Sequence, residues 1–223
     1  MDETEGAKGR TRDANRTREA ILTAAEAIFA EHGFAGARLD AIAAESGYNK
    51  SLIGQYFGDK LGLYADVLKR ADREVDALLA QVLGPLLGEG AAASDARRFR
   101  AYIQSMAGAF FDYLLAHPRL LRILTWEMAG GWRMFAGIAE GFPSENSERF
   151  ELFFRTAREA GLLRSDFLPK IQFSMLMQVC MAYLSFSPLY RLFLPNEDLA
   201  SAAFIGQARR YVVDFIVSGM LKD

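Results

Sequence analysis

Apolar residues recur along this chain at the three- and four-residue spacing of a helix face, and no segment alternates in the two-residue period of a strand. Between residues 17 and 31 the face is Ile21, Ala24, Ala25, Ile28 and Phe29, and His32-Gly33 supplies a C-terminal cation and a left-handed stop. A short helix over 39–44 follows. Asn49 reads as the N-cap of a third helix over 50–57, which Gly58 ends, and Asp59 caps a fourth running towards residue 81.

After a Gly/Pro/Ala-rich break over 84–93 the pattern restarts with Phe99, Ile103, Met106, Phe110 and Leu114, and stops at His117-Pro118. Ser144 with Glu145 and Glu148 opens a helix showing Phe150, Phe153, Phe154 and Ala157. Pro169 opens another, closed by Pro188, and Asn196 with Glu197 and Asp198 opens the last, through Phe204, Ala208, Tyr211 and Phe215. With no fixed-period repeat, the expected fold is all-α: a small N-terminal helical domain joined to a larger C-terminal one.

Composition removes several classes of function. With 51 % hydrophobic residues in 223, the chain can bury a core and is neither disordered nor fibrous. One cysteine, Cys180, and two histidines, His32 and His117, leave no disulfide framework, no multi-Cys zinc site and no Cys/His pair close in sequence, so neither a metal nor a cofactor is expected. The acidic start Met1-Asp2-Glu3 lacks the apolar core of a signal peptide, and the expected location is the cytoplasm. Residues 171–190 carry no charge, but Gln172, Ser174, Gln178, Ser185, Ser187 and Pro188 interrupt them, so they read as a buried helix rather than a membrane span.

Charge is uneven at one place. Over residues 7–18 Lys8, Arg10, Arg12, Arg16 and Arg18 face Asp13 alone, a net +4 on a chain whose total is −2. A basic arm on a slightly acidic protein reads either as a phosphate-binding footprint or, as most such runs do, as a solvated tail.

Ala43, Gly47 and Ile53 stand at i, i+4 and i+10, the spacing of a helix-turn-helix. The small Ala43 lets two helices cross closely, Gly47 permits the positive φ of a tight turn, and Ile53 anchors the second helix, whose outer face is then free to enter a major groove. Lys50 and Gln55 are long donors able to reach base edges, Ser51 suits a base or a phosphate, and Tyr56 and Lys60 suit phosphate oxygens.

In His32-Gly33-Phe34, Asp40-Ala41-Ile42-Ala43, Ser46-Gly47, Lys50-Ser51-Leu52-Ile53 and Tyr56-Phe57-Gly58-Asp59-Lys60-Leu61 the chain resembles the TetR family of transcriptional regulators over about residues 15–64. The resemblance implies a flexible basic arm over 1–14, a DNA-binding domain over 15–60, and an effector-binding and dimerisation domain over 61–223, with the helix over 61–81 as connector. It implies base reading by Lys50, Ser51, Leu52 and Gln55 and phosphate clamping by Tyr56 and Lys60, with Arg38 and Asn49 also at the DNA. Gly54 stands where the family commonly has an aromatic residue, costing the helix about 1 kcal/mol of propensity. Ala37-Arg38 replaces a hydroxyl cap worth about 1 kcal/mol and adds a cation.

Past residue 84, Phe and Met at helical spacing read first as core. The resemblance nonetheless implies an effector site there for an apolar or amphipathic compound, with Phe110, Trp126, Phe154, Met177 and Tyr183 as candidate lining. Glu127 and Gln178 stand out as polar residues in apolar stretches that need partners. The terminal helices, over 169–187 and 197–218, carry Ala202, Ala203, Gly206 and Ala208, and the resemblance implies that they pair two copies, which then face a palindromic DNA operator. The reading is a ligand-responsive DNA-binding repressor and not an enzyme. An all-helical enzyme or a protein-interaction module with an aromatic-lined cavity is the alternative, against which stands the absence of any catalytic constellation.

Overall fold

The computed structural model describes residues 3–87, 95–139, 145–164 and 168–222, and the side chains of 3–12, 83–87, 145–150 and 169 lie outside that description. In chain order its helices are α1 (Glu3–Gly36), α2 (Leu39–Ser46), α3 (Lys50–Phe57), α4 (Lys60–Leu87), α5 (Ala96–Ala116), α6 (Pro118–Ala129), α7 (Arg133–Ile138), α8 (Glu145–Glu159), α9 (Pro169–Ser185), α10 (Ser187–Phe193) and α11 (Ala202–Met220). Among the described residues the sole β pairing is an isolated bridge between Leu163 and Leu221, and no helix is long and apolar enough to cross a membrane.

The chain divides into two compact units. The first comprises Met1–Asp72 and Arg122–Phe142, the second Arg73–Leu121 and Pro143–Asp223. The two units divide inside α4, after Asp72, and a distant segment joins the N-terminal helices.

In the first unit Ile21, Leu22, Ala25 and Phe29 of α1, Ile42 of α2, Ile53 and Phe57 of α3, and Leu63 and Tyr64 of α4 are buried together. The segment 122–142 is held by specific bonds. The Trp126 indole N–H donates to the Ala30 carbonyl at 3.2 Å, and the Tyr64 hydroxyl donates to the buried Glu127 carboxylate at 2.6 Å. The other Glu127 oxygen accepts the Phe135 N–H at 3.0 Å, so this carboxylate has the protein partners that its apolar surroundings demand. Gly33 breaks the helical path of α1 at φ 65°, ψ 175°. A Cβ on Gly33 would stand 3.0 Å from the Trp126 ring, so both backbone and packing require glycine there. The helix runs from Glu3, earlier than the apolar face starting near residue 17 suggests, through the segment expected as a flexible arm.

The second unit is built on α5, whose face Phe99, Ile103, Met106, Phe110 and Leu114 is buried, and whose N-cap Asp95 accepts the Arg98 N–H at 2.8 Å. Phe153, Phe154 and Ala157 of α8 and Leu176, Cys180 and Met181 of α9 complete this core. Ser144 and Phe150 lie outside the residues whose side chains are described.

Two expectations for the C-terminal helices are corrected. The last helix begins at Ala202, not near Asn196, because the Ser201 hydroxyl caps it by accepting the Phe204 N–H at 3.3 Å, while Asp198 serves a preceding turn, accepting the Ala200 N–H. Its buried face is Ala208, Val212, Val213, Ile216, Val217 and Met220. Tyr211 and Phe215, part of the same helical pattern, are 68 % and 59 % exposed, because α11 has two apolar faces and the chain covers one. Pro188 does not end α9, which stops at Ser185, but sits in the first turn of α10, where its missing N–H costs nothing.

Candidate nucleic-acid interface

The hairpin α2–α3 is punctuated as its sequence demands. Gly47 takes φ 75° at the end of α2, and Asn49 caps α3 by accepting the Leu52 N–H at 2.9 Å. With Ile53 and Phe57 buried, Lys50, Ser51, Gly54 and Gln55 form one exposed face, flanked by the half-buried Leu52 and Tyr56. A Cβ on Gly54 would meet nothing within 4 Å, so the middle of this face is bare backbone open to close approach. Asn49 and Arg38 are exposed nearby in sequence, and Arg38 occupies the N-cap of α2 without any side-chain capping bond. The cap expected to be missing is missing.

The two lysines differ. Lys50 pairs with Asp40 at 2.8 Å, both side chains more than half exposed. Such a pair is worth about 0–1 kcal/mol, less than the roughly 1–3 kcal/mol of a good base contact, so Lys50 can leave it for a base. Lys60 is half-buried, donates to the Ala37 carbonyl at 2.9 Å, and lies 4.6 Å from the centre of the Phe34 ring. It ties the start of α4 to the chain entering α2, a bracing role that its phosphate-facing motif position does not suggest.

Of the basic arm, Arg16 is exposed, while Arg18 is bound to Asp66 at 2.6 Å and lies over the Phe57 ring at 5.3 Å. Arg18 is thus a structural cation, not a free one. Lys8, Arg10 and Arg12 lie outside the described side chains.

The sequence reading missed Gly62. A Cβ there would run into the Phe57 carbonyl oxygen, so backbone blocks it, while its N–H donates to the Asp59 carboxylate at 2.8 Å. The signal was the Asp59 cap itself, which forces the first turn of α4 against the end of α3.

The expected effector residues do not form one group. Phe110 and Phe154 are core, the latter edge-on to Phe99 and Phe153. Met177 is half-buried. Tyr183 lines a cavity of about 230 Å³ in the second unit with Phe111, Tyr190, Phe204 and Ile205, and burial raises its hydroxyl pKa, helped by Tyr190. Trp126 belongs to the first unit and lines a different cavity there. Gln178 is exposed and donates to Ser174 at 3.4 Å.

Residues 21–67 match the model of the tetR family of bacterial regulatory proteins. Over 116 residues, 52 % of each chain, the protein is 40 % identical to the HTH-type transcriptional repressor SCO4008 of Streptomyces coelicolor. Over 107 residues, 48 % of this chain and 44 % of the other, it is 32 % identical to the HTH-type transcriptional activator FasR of Mycolicibacterium smegmatis. These matches span about half the length of the curated relatives. The fold also matches the crystal structure of a putative transcriptional regulator, SCO4942, from Streptomyces coelicolor, with TM-score 0.61 and 26 % identity over 92 % of this chain and 98 % of that one. The match to the tetR family of bacterial regulatory proteins thus lies in the N-terminal helices, over residues 21–67.

Proposed function

We propose that this protein is a cytoplasmic transcriptional repressor, a regulator and not a catalyst, that binds a palindromic DNA operator as a homodimer and leaves it when a small apolar or amphipathic effector binds. The observation that carries this reading is the exposed face Lys50, Ser51, Gly54 and Gln55 of a helix that is capped at Asn49 and anchored at Ile53 and Phe57. In this reading Lys50, Ser51, Leu52 and Gln55 read bases, and Arg38, Asn49, Tyr56 and Lys60 face the phosphates. The 40 % identical relative being a repressor supports the sign of regulation.

Two copies pair through α9 and α11 in this account. Their outward apolar side chains include Tyr211, and also Met175 at 49 % and Phe215, which line a cavity of about 340 Å³ that reaches Val179 and Gly219. The effector occupies the second unit near Tyr183. Helix α4, shared by both units, carries the effect to the hairpin, and by linkage the effector weakens DNA as much as DNA weakens the effector, by roughly 5- to 150-fold.

Selection of duplexes from a random pool by the full-length protein at about 0.15 M salt, followed by salt titration of the winner, tests the reading. The expected winner is a palindrome with half-sites about one helical turn apart and a steep inverse dependence on salt. No enrichment by a folded dimer would overturn it.

A further inference from the structure

One cavity in the first unit is not explained by DNA reading. It encloses about 540 Å³ where the end of α1 meets α6 and α7, within the 300–1,000 Å³ range of small-molecule sites. Gly33, Phe34, Trp126 and Met134 supply an apolar wall, and Glu127 and Arg133 bring charge to it. Trp126 remains 47 % exposed although its N–H is already bound to Ala30, so its indole face is unused apolar surface.

The polar side chains show what an occupant must carry. Each oxygen of Glu127 already accepts a protein donor, from the Tyr64 hydroxyl and from the Phe135 N–H. Arg133 is exposed and spends only its Nε, on the Gly130 carbonyl at 3.0 Å, so among the described residues nothing bonds its two terminal nitrogens. A guanidinium with its fork free beside an aromatic wall is matched by a planar carboxylate joined to an apolar body. We propose that the first unit holds its own ligand site, separate from any effector site in the second, and that it binds an amphipathic carboxylate, the acid on Arg133 and the apolar body against Trp126 and Phe34. Phe34 also carries the Lys60 ammonium on its ring, so an occupant presses on the residue that braces the hairpin.

The two tryptophans of the chain, Trp126 and Trp132, both fall in this unit, so intrinsic fluorescence reports on the site without DNA and independently of any regulatory role. The probes are 3-phenylpropanoate and octanoate, against the neutral 3-phenylpropanamide, added to the full-length protein with excitation at about 295 nm, where these probes do not absorb. Both acids are expected to change the emission saturably at or below about 1 mM, with the amide at least tenfold weaker. Arg133→Met is expected to weaken 3-phenylpropanoate about tenfold, and Arg133→Lys, which keeps the charge but loses the fork, by less. Arg133 is exposed, and unchanged circular dichroism checks that both variants fold. Absence of saturation by either acid up to about 10 mM, equal binding of acid and amide, or an Arg133→Met variant that binds like the parent would each overturn the proposal.

Discussion

Replacing Lys60 by Met separates bracing from DNA contact. The substitution keeps the apolar stem and removes the ammonium, and with it the bond to the Ala37 carbonyl and the contact with the Phe34 ring. A hydrogen bond from a charged donor is worth about 1.5–3 kcal/mol and a partly exposed cation–π contact about 0.5–1 kcal/mol. Because Lys60 is half-buried and water competes for it, a net loss of about 2 kcal/mol is expected, and at roughly 2–4 °C per kcal/mol for a chain of this size the melting temperature should fall by about 4–8 °C. Thermal unfolding followed by circular dichroism at low salt measures it, without DNA. Lys50→Met is the internal control: its pair with Asp40 is exposed on both sides, and its melting temperature should stay within about 2 °C. A Lys60→Met variant as stable as the parent would refute the bracing role. On DNA the same variant should weaken binding to all sequences alike and reduce the salt slope by about 0.9, one phosphate's worth.

Three further outcomes follow from the packing. Gly62→Ala should destabilise by about 1–3 kcal/mol or more, because its methyl meets the Phe57 carbonyl and not a movable side chain; urea denaturation that shows no change would contradict that geometry. Tyr64→Phe removes one of the two donors to the buried Glu127 carboxylate and should cost about 1.5–3 kcal/mol in the same assay, while a neutral effect would mean that the carboxylate finds water instead. Burial pushes the Cys180 thiol from about 9 up to about 12, against the smaller lowering effect of Arg209. Because the folded value is raised, this contribution to stability is complete below pH 9 and is lost as pH climbs towards 12, with the raised Tyr64 and Tyr102 hydroxyls adding to the loss above pH 10. Cys180→Ala should flatten the first part of that decline, and native Cys180 should react with iodoacetamide at pH 8 at least 100-fold more slowly than the urea-unfolded chain.

What was legible in the sequence was local. Asn49, Gly47 and Gly58 set α3 at Lys50–Phe57, as their capping chemistry predicts, and the 3.6-residue stripe of α5 is its buried face. Contacts between residues far apart were not legible. Trp126 meets Ala30 across 96 residues and Glu127 meets Tyr64 across 63, and no periodicity records that a segment this distant completes the first unit. Periodicity also locates apolar residues without saying what covers them: Tyr211 and Phe215 share the helical pattern of α11 with the buried Ala208, yet face outward. Lys60 shows a related ambiguity: its motif position suits a phosphate, but the carbonyl of Ala37, 23 residues earlier, holds its ammonium. The start of α11 was misplaced because Asn196 and Ser201 are both good caps, and only the turn around Asp198 decides between them.

The central claim, that the exposed face of α3 reads bases, is tested most directly by repeating the random-duplex selection with Gln55→Ala. Gln55 is exposed on that face and belongs to no core contact, so the variant should fold as the parent does. The account predicts relaxed preference at one position of each half-site, worth about 1–3 kcal/mol there, with the other positions and the salt slope unchanged. A selected sequence identical to the parent's at every position would contradict it and place recognition elsewhere than on α3.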